Sequence, residues 1–268
     1  MIKIIFSDID GTFLKDDKTP AALHAKAIKA VVDKGLKFVF VSARMPEAIY
    51  PITDALDMAH TPVISYGGGF VLTEDEEIIF DKKISANDAK NILAAMNHWQ
   101  DITINYYTGR KWYVETIDWR AQREVDITSA QVDVANFNKL LSENILPNKI
   151  LVMCEPPTCG EMERVLGKNF PTLNVVRSAP YLLEIMDKSV SKATGIEILL
   201  KHYGYTVDEA IAFGDNYNDV EMLRYIPQSV AMANAPDAVK KLAAAVTDSN
   251  EEGGIYTYLV KVGKILTP

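Results

Sequence analysis

The sequence is poor in cysteine and histidine and has no long apolar run, and each shortage excludes a class of protein. Its 268 residues include two cysteines and four histidines. One possible disulfide would not hold together a secreted protein of this length, so the cysteine content indicates a reducing compartment. No apolar stretch reaches the roughly 18 residues that a membrane-spanning helix requires, and the apolar run at residues 1–6 is too short for a signal peptide. We therefore expect a soluble, cytoplasmic protein.

The charge balance argues against two classes of partner. The formal net charge of −8 disfavours nucleic acid and anionic membrane surfaces as the main partner. A small phosphorylated metabolite is compatible with this charge, because a bound cation and a few basic side chains suffice to hold one phosphate. With 48% hydrophobic and 24% charged residues, the chain can bury a full core. We expect a monomer or a small homo-oligomer.

Apolar runs alternate with helical patterns in the first and last thirds of the chain. Residues 2–7 and 36–41 are rich in isoleucine, phenylalanine and valine, which is typical of strands buried on both faces. Residues 192–203 have a helical pattern that ends at Gly204. We also predict helices near residues 46–56 and over residues 237–244. Strand and helix in alternation predict an α/β fold with a doubly wound, Rossmann-like parallel sheet.

The middle of the chain has a different pattern. Residues 101–107 and 111–115 flank a glycine-containing turn, and residues 173–177 and 181–186 flank a second turn, so both pairs predict antiparallel hairpins. Hairpins mixed with helices indicate a separate α+β unit. We therefore predict that residues 82–186 form a domain inserted into an α/β domain made of residues 1–81 and 187–268.

Two carboxylates follow the first predicted strand, within the sequence DIDGT at residues 8–12. In open α/β sheets, catalytic groups collect at the carboxyl ends of the strands. Asp8 and Asp10 are two residues apart and can point the same way from an extended chain, which favours a bound cation or one protonated carboxyl. A calcium loop would require glycine and glutamate where Phe13 and Thr19 stand. A solvated acidic turn is the remaining alternative for this motif alone.

A second pair of acids follows a later predicted strand at residues 209–213. Asp215 and Asp219 would complete an all-oxygen site of the kind that Mg²⁺ prefers. Taken alone, this segment could instead be an Asx turn that caps the next helix.

A hydroxyl and an ammonium group follow at corresponding positions. Ser42 comes directly after the strand that ends at Val41, where a hydroxyl or a helix-start amide can hold a phosphate oxygen; an N-cap serine is the alternative. Lys192 begins a predicted helix, where the helix dipole disfavours a cation. It therefore either extends into solvent or binds an anion.

In chain order, the four elements are D-x-D-G-T at residues 8–12, Ser42, Lys192 and G-D-x-x-N-D at residues 214–219. This set, in this order, resembles the haloacid dehalogenase-like superfamily. The inserted segment resembles the α/β cap of the Cof-type phosphatase branch, which determines substrate selectivity. The sequence departs from the usual T-G-R at residues 42–44, which read Ser-Ala-Arg, and from the usual N-G-A after the third strand, which here reads Ser-Tyr-Gly-Gly-Gly at residues 65–69.

The resemblance implies a Mg²⁺-dependent phosphomonoester hydrolase that acts on small phosphorylated metabolites, sugar phosphates above all. Asp8 would attack phosphorus and form an aspartyl-phosphate, and Asp10 would act as acid and then base. Mg²⁺ would be held by Asp8, the backbone carbonyl of Asp10 and Asp215, with Asp219 close by. Three residues would hold the phosphoryl oxygens: Ser42, Lys192 and Asn218.

Four further residues are candidates for substrate selectivity: Arg44, Gly67, Gly68 and Glu184. Two other functions remain open from the sequence. One is a catalytically idle relative that binds a phosphorylated ligand. The other is a sugar phosphomutase or an enzyme like trehalose-phosphate phosphatase, which would show a strong preference for one sugar phosphate.

Overall fold

The computed structural model describes residues 1–58 and 61–261. The described residues contain fourteen strands. They are β1 (Ile4–Ser7), β2 (Lys37–Val41), β3 (Val63–Ser65), β4 (Phe70–Leu72), β5 (Ile78–Asp81), β6 (Thr103–Thr108), β7 (Lys111–Val114), β8 (Asp133–Val134), β9 (Lys149–Met153), β10 (Leu173–Ala179), β11 (Leu182–Asp187), β12 (Ala210–Gly214), β13 (Gln228–Ala231) and β14 (Ala245–Val246).

The same residues contain ten α-helices, besides short 3₁₀ turns. They are α1 (Ala22–Asp33), α2 (Tyr50–Ala55), α3 (Ala86–Met96), α4 (Trp119–Thr128), α5 (Phe137–Ser142), α6 (Pro156–Asn169), α7 (Lys192–Tyr203), α8 (Val220–Tyr225), α9 (Asp237–Lys240) and α10 (Gly254–Lys261). Within the described ranges, every helix is too short or too polar to cross a membrane.

The chain divides into two compact units. The first contains Met1–Arg44, Ile52–Phe80 and Ser191–Pro268, and the second contains Met45–Pro51 and Asp81–Val190. The predicted ranges of the first domain include residues 59–60 and 262–268, which lie outside the described residues.

An eight-stranded sheet forms the centre of the first unit, in the order β14-β13-β12-β1-β2-β3-β4-β5. The strands from β14 to β3 are parallel, and β4 runs antiparallel to β3. The central strands β1 and β12 are buried along their whole length, because helices cover both faces of such a sheet and select continuous apolar sequences. The predicted α/β fold with a parallel sheet is confirmed.

The helix that begins at Lys192 lies where the sequence predicts it. The Ser191 side chain caps its first turn by accepting a hydrogen bond from the Thr194 amide, and Gly204 ends it in the left-handed conformation with φ of 66°. Its apolar face packs against the sheet through Ile196 and Leu199, in the same core as Phe6 of β1. The helix is therefore anchored to the strand that precedes Asp8.

The second unit has a six-stranded sheet in the order β10-β11-β9-β6-β7-β8. Both predicted hairpins are present, as the antiparallel pairs β6–β7 and β10–β11. Alternate residues of the strands, such as Tyr106, Ile150 and Ile185, pack with helices α3, α5 and α6 in one apolar core.

Several helices differ from their prediction, and each difference has a local cause. The helix predicted at residues 46–56 is a 3₁₀ turn followed by α2, because Pro51 lacks the N–H that would continue an α-helix from residue 47. The helix predicted at residues 237–244 ends at Lys240 as an α-helix and continues through tighter hydrogen bonds from Leu242 to Val239. Helix α4 is missing from the prediction, although Asp118 caps it strongly.

Candidate active site

Two acidic residues meet where the central strands end. The register of the parallel pair aligns Ser7 of β1 with Phe213 of β12, and the Asp8 amide extends the pairing by donating to the Phe213 carbonyl at 3.0 Å. Asp8 therefore lies beside the end of β12, where Asp215 follows Gly214. The convergence predicted from the strand ends is present in the structure.

Three buried carboxylates form a cluster at this edge. One oxygen each of Asp8, Asp215 and Asp219 lies within 4.8 Å of the others. The three residues are 5%, 9% and 0% exposed. Carboxylates this close and this buried repel one another, and the repulsion must be offset by a cation or by protons.

Lys192 supplies one positive charge to the cluster. Its ammonium contacts Asp8 Oδ1 and lies 2.6 Å from Asp219 Oδ1, while the side chain is 2% exposed. Burial alone would lower the pKa of Lys192, but the charges of Asp219 and Asp8 outweigh it and raise the pKa above its ordinary value. Of the two alternatives for Lys192, the structure shows the anion-bound one.

Two of the acids, Asp8 and Asp215, have raised pKa values. Burial raises the pKa of Asp8 well above its ordinary value, and Asp219 and Asp215 add to the effect, while the Lys192 charge lowers it. Burial raises the pKa of Asp215 to about 6, and Asp219 adds to this against the hydrogen bond from Thr12. Such perturbation by burial and specific charged neighbours is typical of functional sites.

Asp219 orders the loop that carries Asp215. Its Oδ2 atom accepts hydrogen bonds from the amides of Asp215 at 2.8 Å and Asn216 at 3.0 Å. A Cβ atom on Gly214 would lie 2.6 Å from the Asp219 Cβ, so only glycine permits this approach. The segment is thus a capped turn, which was the alternative to a metal site in the sequence analysis. It also contributes Asp215 and Asp219 to the acidic cluster.

Thr12 and Gly11 support Asp215 from the first loop, and neither was among the predicted site residues. The Thr12 hydroxyl donates to Asp215 Oδ1 at 2.7 Å. Gly11 has φ of +84°, and a Cβ there would lie 2.5 Å from Asp215 Oδ2. Both belong to the motif at residues 8–12, so the motif itself was the signal from which these two site residues could have been predicted.

Asp10 points to basic residues rather than into the acidic cluster. Arg44 donates to it through Nε and Nη2, at 2.8 Å each, and Lys18 Nζ lies at 3.0 Å. Burial acts to raise the pKa of Asp10, but Arg44 and Lys18 outweigh it and lower the pKa to about 2. Arg44, predicted as a selectivity residue, thus binds a carboxylate of the chain itself. No pattern in the sequence singled out Lys18.

The other predicted residues lie as follows. Ser42 is buried, and its Oγ accepts a hydrogen bond from the Arg44 amide at 3.2 Å. Asn218 is exposed, in the 3₁₀ turn at Tyr217–Asp219. Among the described residues, neither side chain is hydrogen-bonded to the acidic cluster, so their role as phosphate ligands stays a prediction.

Three selectivity candidates remain, and Glu184 and Gly68 have contacts within the chain. Glu184 lies on β11 of the second unit, with its carboxylate 3.7 Å from Lys149 Nζ. Gly67 and Gly68 form the turn after β3, and Gly68 packs against the backbone of Ser191. This contact explains why residue 68 is a glycine, because a Cβ atom there would collide with the Ser191 backbone.

The cluster suits a divalent cation by its chemistry and its charge. All three candidate ligands are carboxylate oxygens, which hard cations such as Mg²⁺ prefer. Three ionised carboxylates and one ammonium leave an excess of two negative charges, which one divalent ion would balance. The residues present therefore fit a metal ion of this class.

The comparison with known proteins shows the family. The sequence matches the family model for haloacid dehalogenase-like hydrolases over residues 5–259, and the chain belongs to this family. It is accordingly a hydrolase. The resemblance noted from the motifs is confirmed.

Individual relatives match over nearly their whole length. A Haemophilus influenzae protein named "Putative phosphatase" is 31% identical over 257 residues, which cover 95% of this chain and 96% of that protein. The 5-amino-6-(5-phospho-D-ribitylamino)uracil phosphatase of Bacillus subtilis is 26% identical, covering 95% of this chain and 93% of that one. A solved haloacid dehalogenase-like hydrolase from Bacteroides thetaiotaomicron has a TM-score of 0.86 at 26% identity, covering 98% of this chain and 100% of that structure.

Proposed function

We propose that the protein is a divalent-metal-dependent phosphatase that hydrolyses small phosphorylated metabolites, with Asp8 as the nucleophile. The observation that carries the proposal is the convergence of Asp8, Asp215 and Asp219 around the Lys192 ammonium. In phosphoryl transfer, the protein mainly positions the reactants and stabilises the negative charge of the transferring group. The carboxylates and the Lys192 ammonium place negative and positive charges together at one buried site.

Asp8 is the residue best placed to attack phosphorus. It follows the central strand β1, which pairs with β12 on one side and β2 on the other, and its own amide donates to the Phe213 carbonyl. One of its carboxylate oxygens contacts Lys192, which orients the group. Attack by a carboxylate oxygen forms an aspartyl-phosphate as the bond to the leaving alcohol breaks, and water then hydrolyses the acyl phosphate.

A metal ion of the Mg²⁺ class would be held by Asp8 and Asp215. When bound, it would offset the repulsion between the anionic nucleophile and the phosphoryl group. Both oxygens of Asp219 already accept hydrogen bonds, from Lys192 and from two amides. Asp219 therefore orients Asp215 and Lys192. Thr12 holds the Asp215 carboxylate from the other side.

Asp10 is the candidate for proton transfer to the leaving alcohol. In the arrangement described, it is ionised and bound by Arg44. It must part from Arg44 before it carries a proton, because a carboxyl whose pKa is about 2 is a poor acid near neutral pH. Ser42, Lys192 and Asn218 are proposed to hold the phosphoryl oxygens.

The substrate is proposed to be a phosphorylated polyhydroxylated metabolite, with selectivity from the second unit. The Bacillus subtilis relative carries the name of a phosphatase for a phosphorylated ribityl compound, which is of this chemical class. A panel of sugar phosphates, polyol phosphates and nucleotides would test it. Exclusive turnover of nucleotides would contradict the proposed class.

The nucleophile is tested with Asp8→Asn, assayed on an aryl phosphate with Mg²⁺ present. The amide is a poor nucleophile, so we expect kcat to fall by roughly 1,000-fold or more. Asp237→Asn changes an exposed aspartate of α9 in the same chemical way and should leave kcat unchanged. Equal turnover by wild type and Asp8→Asn would exclude this role of Asp8.

A further inference from the structure

Two glycines bring the turn after β3 into backbone contact with the start of α7. A Cβ atom on Gly68 would lie 1.9 Å from the Ser191 carbonyl oxygen. A Cβ on Gly195 would lie 2.9 Å from the Gly68 Cα and 2.5 Å from Ile64 Cγ2. Real Cβ atoms do not approach other atoms this closely, so any side chain at either position would push the two segments apart.

The contact lies at the turn of the helix that carries Lys192. Ser191 is the N-cap of α7, and its carbonyl accepts the Gly195 amide at 3.3 Å. Lys192 lies between these two residues as the first of the helix. A displacement of this turn therefore moves the Lys192 backbone as well.

The Lys192 ammonium has little freedom to compensate for such a movement. It contacts Asp8 and lies 2.6 Å from Asp219, and the side chain is almost fully buried. Geometry at a reacting centre is demanding, since a misplacement of about 1 Å can cost about 100-fold in rate.

Several locally unfavourable features occur together at this contact. Tyr66, Gly67 and Gly68 all have positive φ, at 50°, 61° and 105°, and a non-glycine residue in that region is uncommon. Glycine inside a helix, as at position 195, is less favourable than alanine. The positive φ angles and the helical glycine are both explained if the close approach between the turn after β3 and the start of α7 is needed for the geometry of the site.

We propose that Gly68 and Gly195 are positioning residues for Lys192. Their backbone contact holds the first turn of α7 where the ammonium reaches both Asp8 and Asp219. This inference rests on the proposed function, and it gives Gly68 a role in placing a charged group of the site in place of the predicted role in substrate selectivity.

The central variant is Gly195→Ala, assayed for kcat/KM on an aryl phosphate. Alanine favours the helix, so folding should persist, and circular dichroism checks it. We expect kcat/KM to fall at least about tenfold. Gly204→Ala is the matched control: it changes a glycine at the other end of the same helix, with φ of +66° and nothing within 4 Å of an added Cβ. It should leave kcat/KM unchanged.

A double-mutant cycle separates positioning of Lys192 from a general structural effect. In a Lys192→Ala background, Gly195→Ala should have no further effect on kcat/KM, because the residue through which it acts is gone. An equal loss in both backgrounds, or wild-type activity in Gly195→Ala, would overturn the proposal. If Gly195→Ala proves unstable, Ile64→Ala/Gly195→Ala relieves the side-chain clash and keeps the 2.9 Å approach to Gly68.

The failure of this inference differs from the failure of the proposed function. If the function is wrong, the wild type lacks phosphatase activity or Asp8→Asn retains it. If only the positioning is wrong, the wild type is active, Asp8→Asn is inactive, and Gly195→Ala behaves like Gly204→Ala.

Discussion

Asp10 and Asp8 are two residues apart, yet their carboxyl groups have opposite environments. Asp8 lies with two other acids and a lysine, and burial raises its pKa. Asp10 accepts hydrogen bonds from Arg44 and Lys18, which lower its pKa to about 2 against the effect of burial. Carboxyls whose pKa values are pushed apart in this way are typical of acid and base pairs in enzymes. The difference arises from their neighbours, since the residue type is the same.

Arg44→Met should raise the pKa of Asp10. An adjacent arginine lowers the pKa of a carboxyl by roughly one to three units, so its removal should return Asp10 toward its ordinary range. NMR titration of the side-chain carboxyl carbon measures this directly. The Asp10 side chain is 39% exposed, so the accompanying change in stability should be small.

Lys18→Met provides the comparison for this titration. Arg44 makes two hydrogen bonds to Asp10, whereas Lys18 makes one. Its loss should therefore raise the pKa of Asp10 less than the loss of Arg44. A pKa of Asp10 that stays near 2 in Arg44→Met would show that the contact does not control this group.

At the scale of elements, His24 joins three segments of the first unit. It is fully buried on α1, its Nδ1 donates to the Phe13 carbonyl at 2.8 Å, and its Nε2 accepts from the Ile255 amide of α10 at 3.2 Å. Because Nε2 accepts, the ring is neutral in this arrangement. Burial lowers the pKa of His24, against the hydrogen bond to Phe13.

His24 should make the protein less stable as the pH falls. Its folded pKa lies below the unfolded value of about 6.5, so the unfolded state binds more protons below that pH. The wild type should lose up to ~1.4 kcal/mol per pH unit relative to His24→Gln, between about pH 6.5 and the folded pKa. Urea unfolding at a series of pH values measures the difference.

His98→Gln is the control for the histidine experiment, since His98 is exposed. It should leave the pH dependence of stability unchanged. Parallel curves for wild type and His24→Gln over the whole range would contradict the assigned role of the buried ring.

Elements with strong local signals could be predicted, and those with weak signals could not. Helix α7 has a capping serine, an apolar face and a glycine at its end, and the sequence places it correctly. Helix α4 has the cap Asp118 but few apolar residues, with only Arg120 and Ala121 buried. A segment that is polar on average and buries so little apolar surface gives no clear hydrophobic signal in the sequence. The two-residue strands β8 and β14 are too short for any periodicity to register.

At the scale of the whole molecule, the acidic cluster opposes folding when no cation is bound. The pKa of Asp215 is raised to about 6 and that of Asp8 is raised as well. The folded chain thus binds more protons than the unfolded chain from about pH 4 upward. Through these groups, the stability of the metal-free protein falls as the pH rises through that window.

Mg²⁺ should therefore raise the melting temperature, and more at pH 7.5 than at pH 5, where protons compete for the same oxygens. At 100 times its dissociation constant, a ligand adds about 2.7 kcal/mol of stability, which corresponds to a shift of several degrees. Differential scanning calorimetry with and without Mg²⁺ measures it, independently of any assay of activity.

Asp215→Asn should abolish this shift, whereas Asp237→Asn, in an exposed position on α9, should preserve it. A shift of the same size in Asp215→Asn would place the Mg²⁺ elsewhere in the molecule.

The sequence by itself determined which groups meet at the edge of the sheet. Asp8 and Asp215 follow apolar strands, and parallel neighbours end on the same side, so their meeting follows from topology alone. Only the tertiary structure decided where Asp10 and Lys192 point, one to Arg44 and the other into the cluster. The reason is physical: burial patterns and caps are encoded over a few residues, whereas the direction of a charged side chain depends on partners that lie far away in the chain.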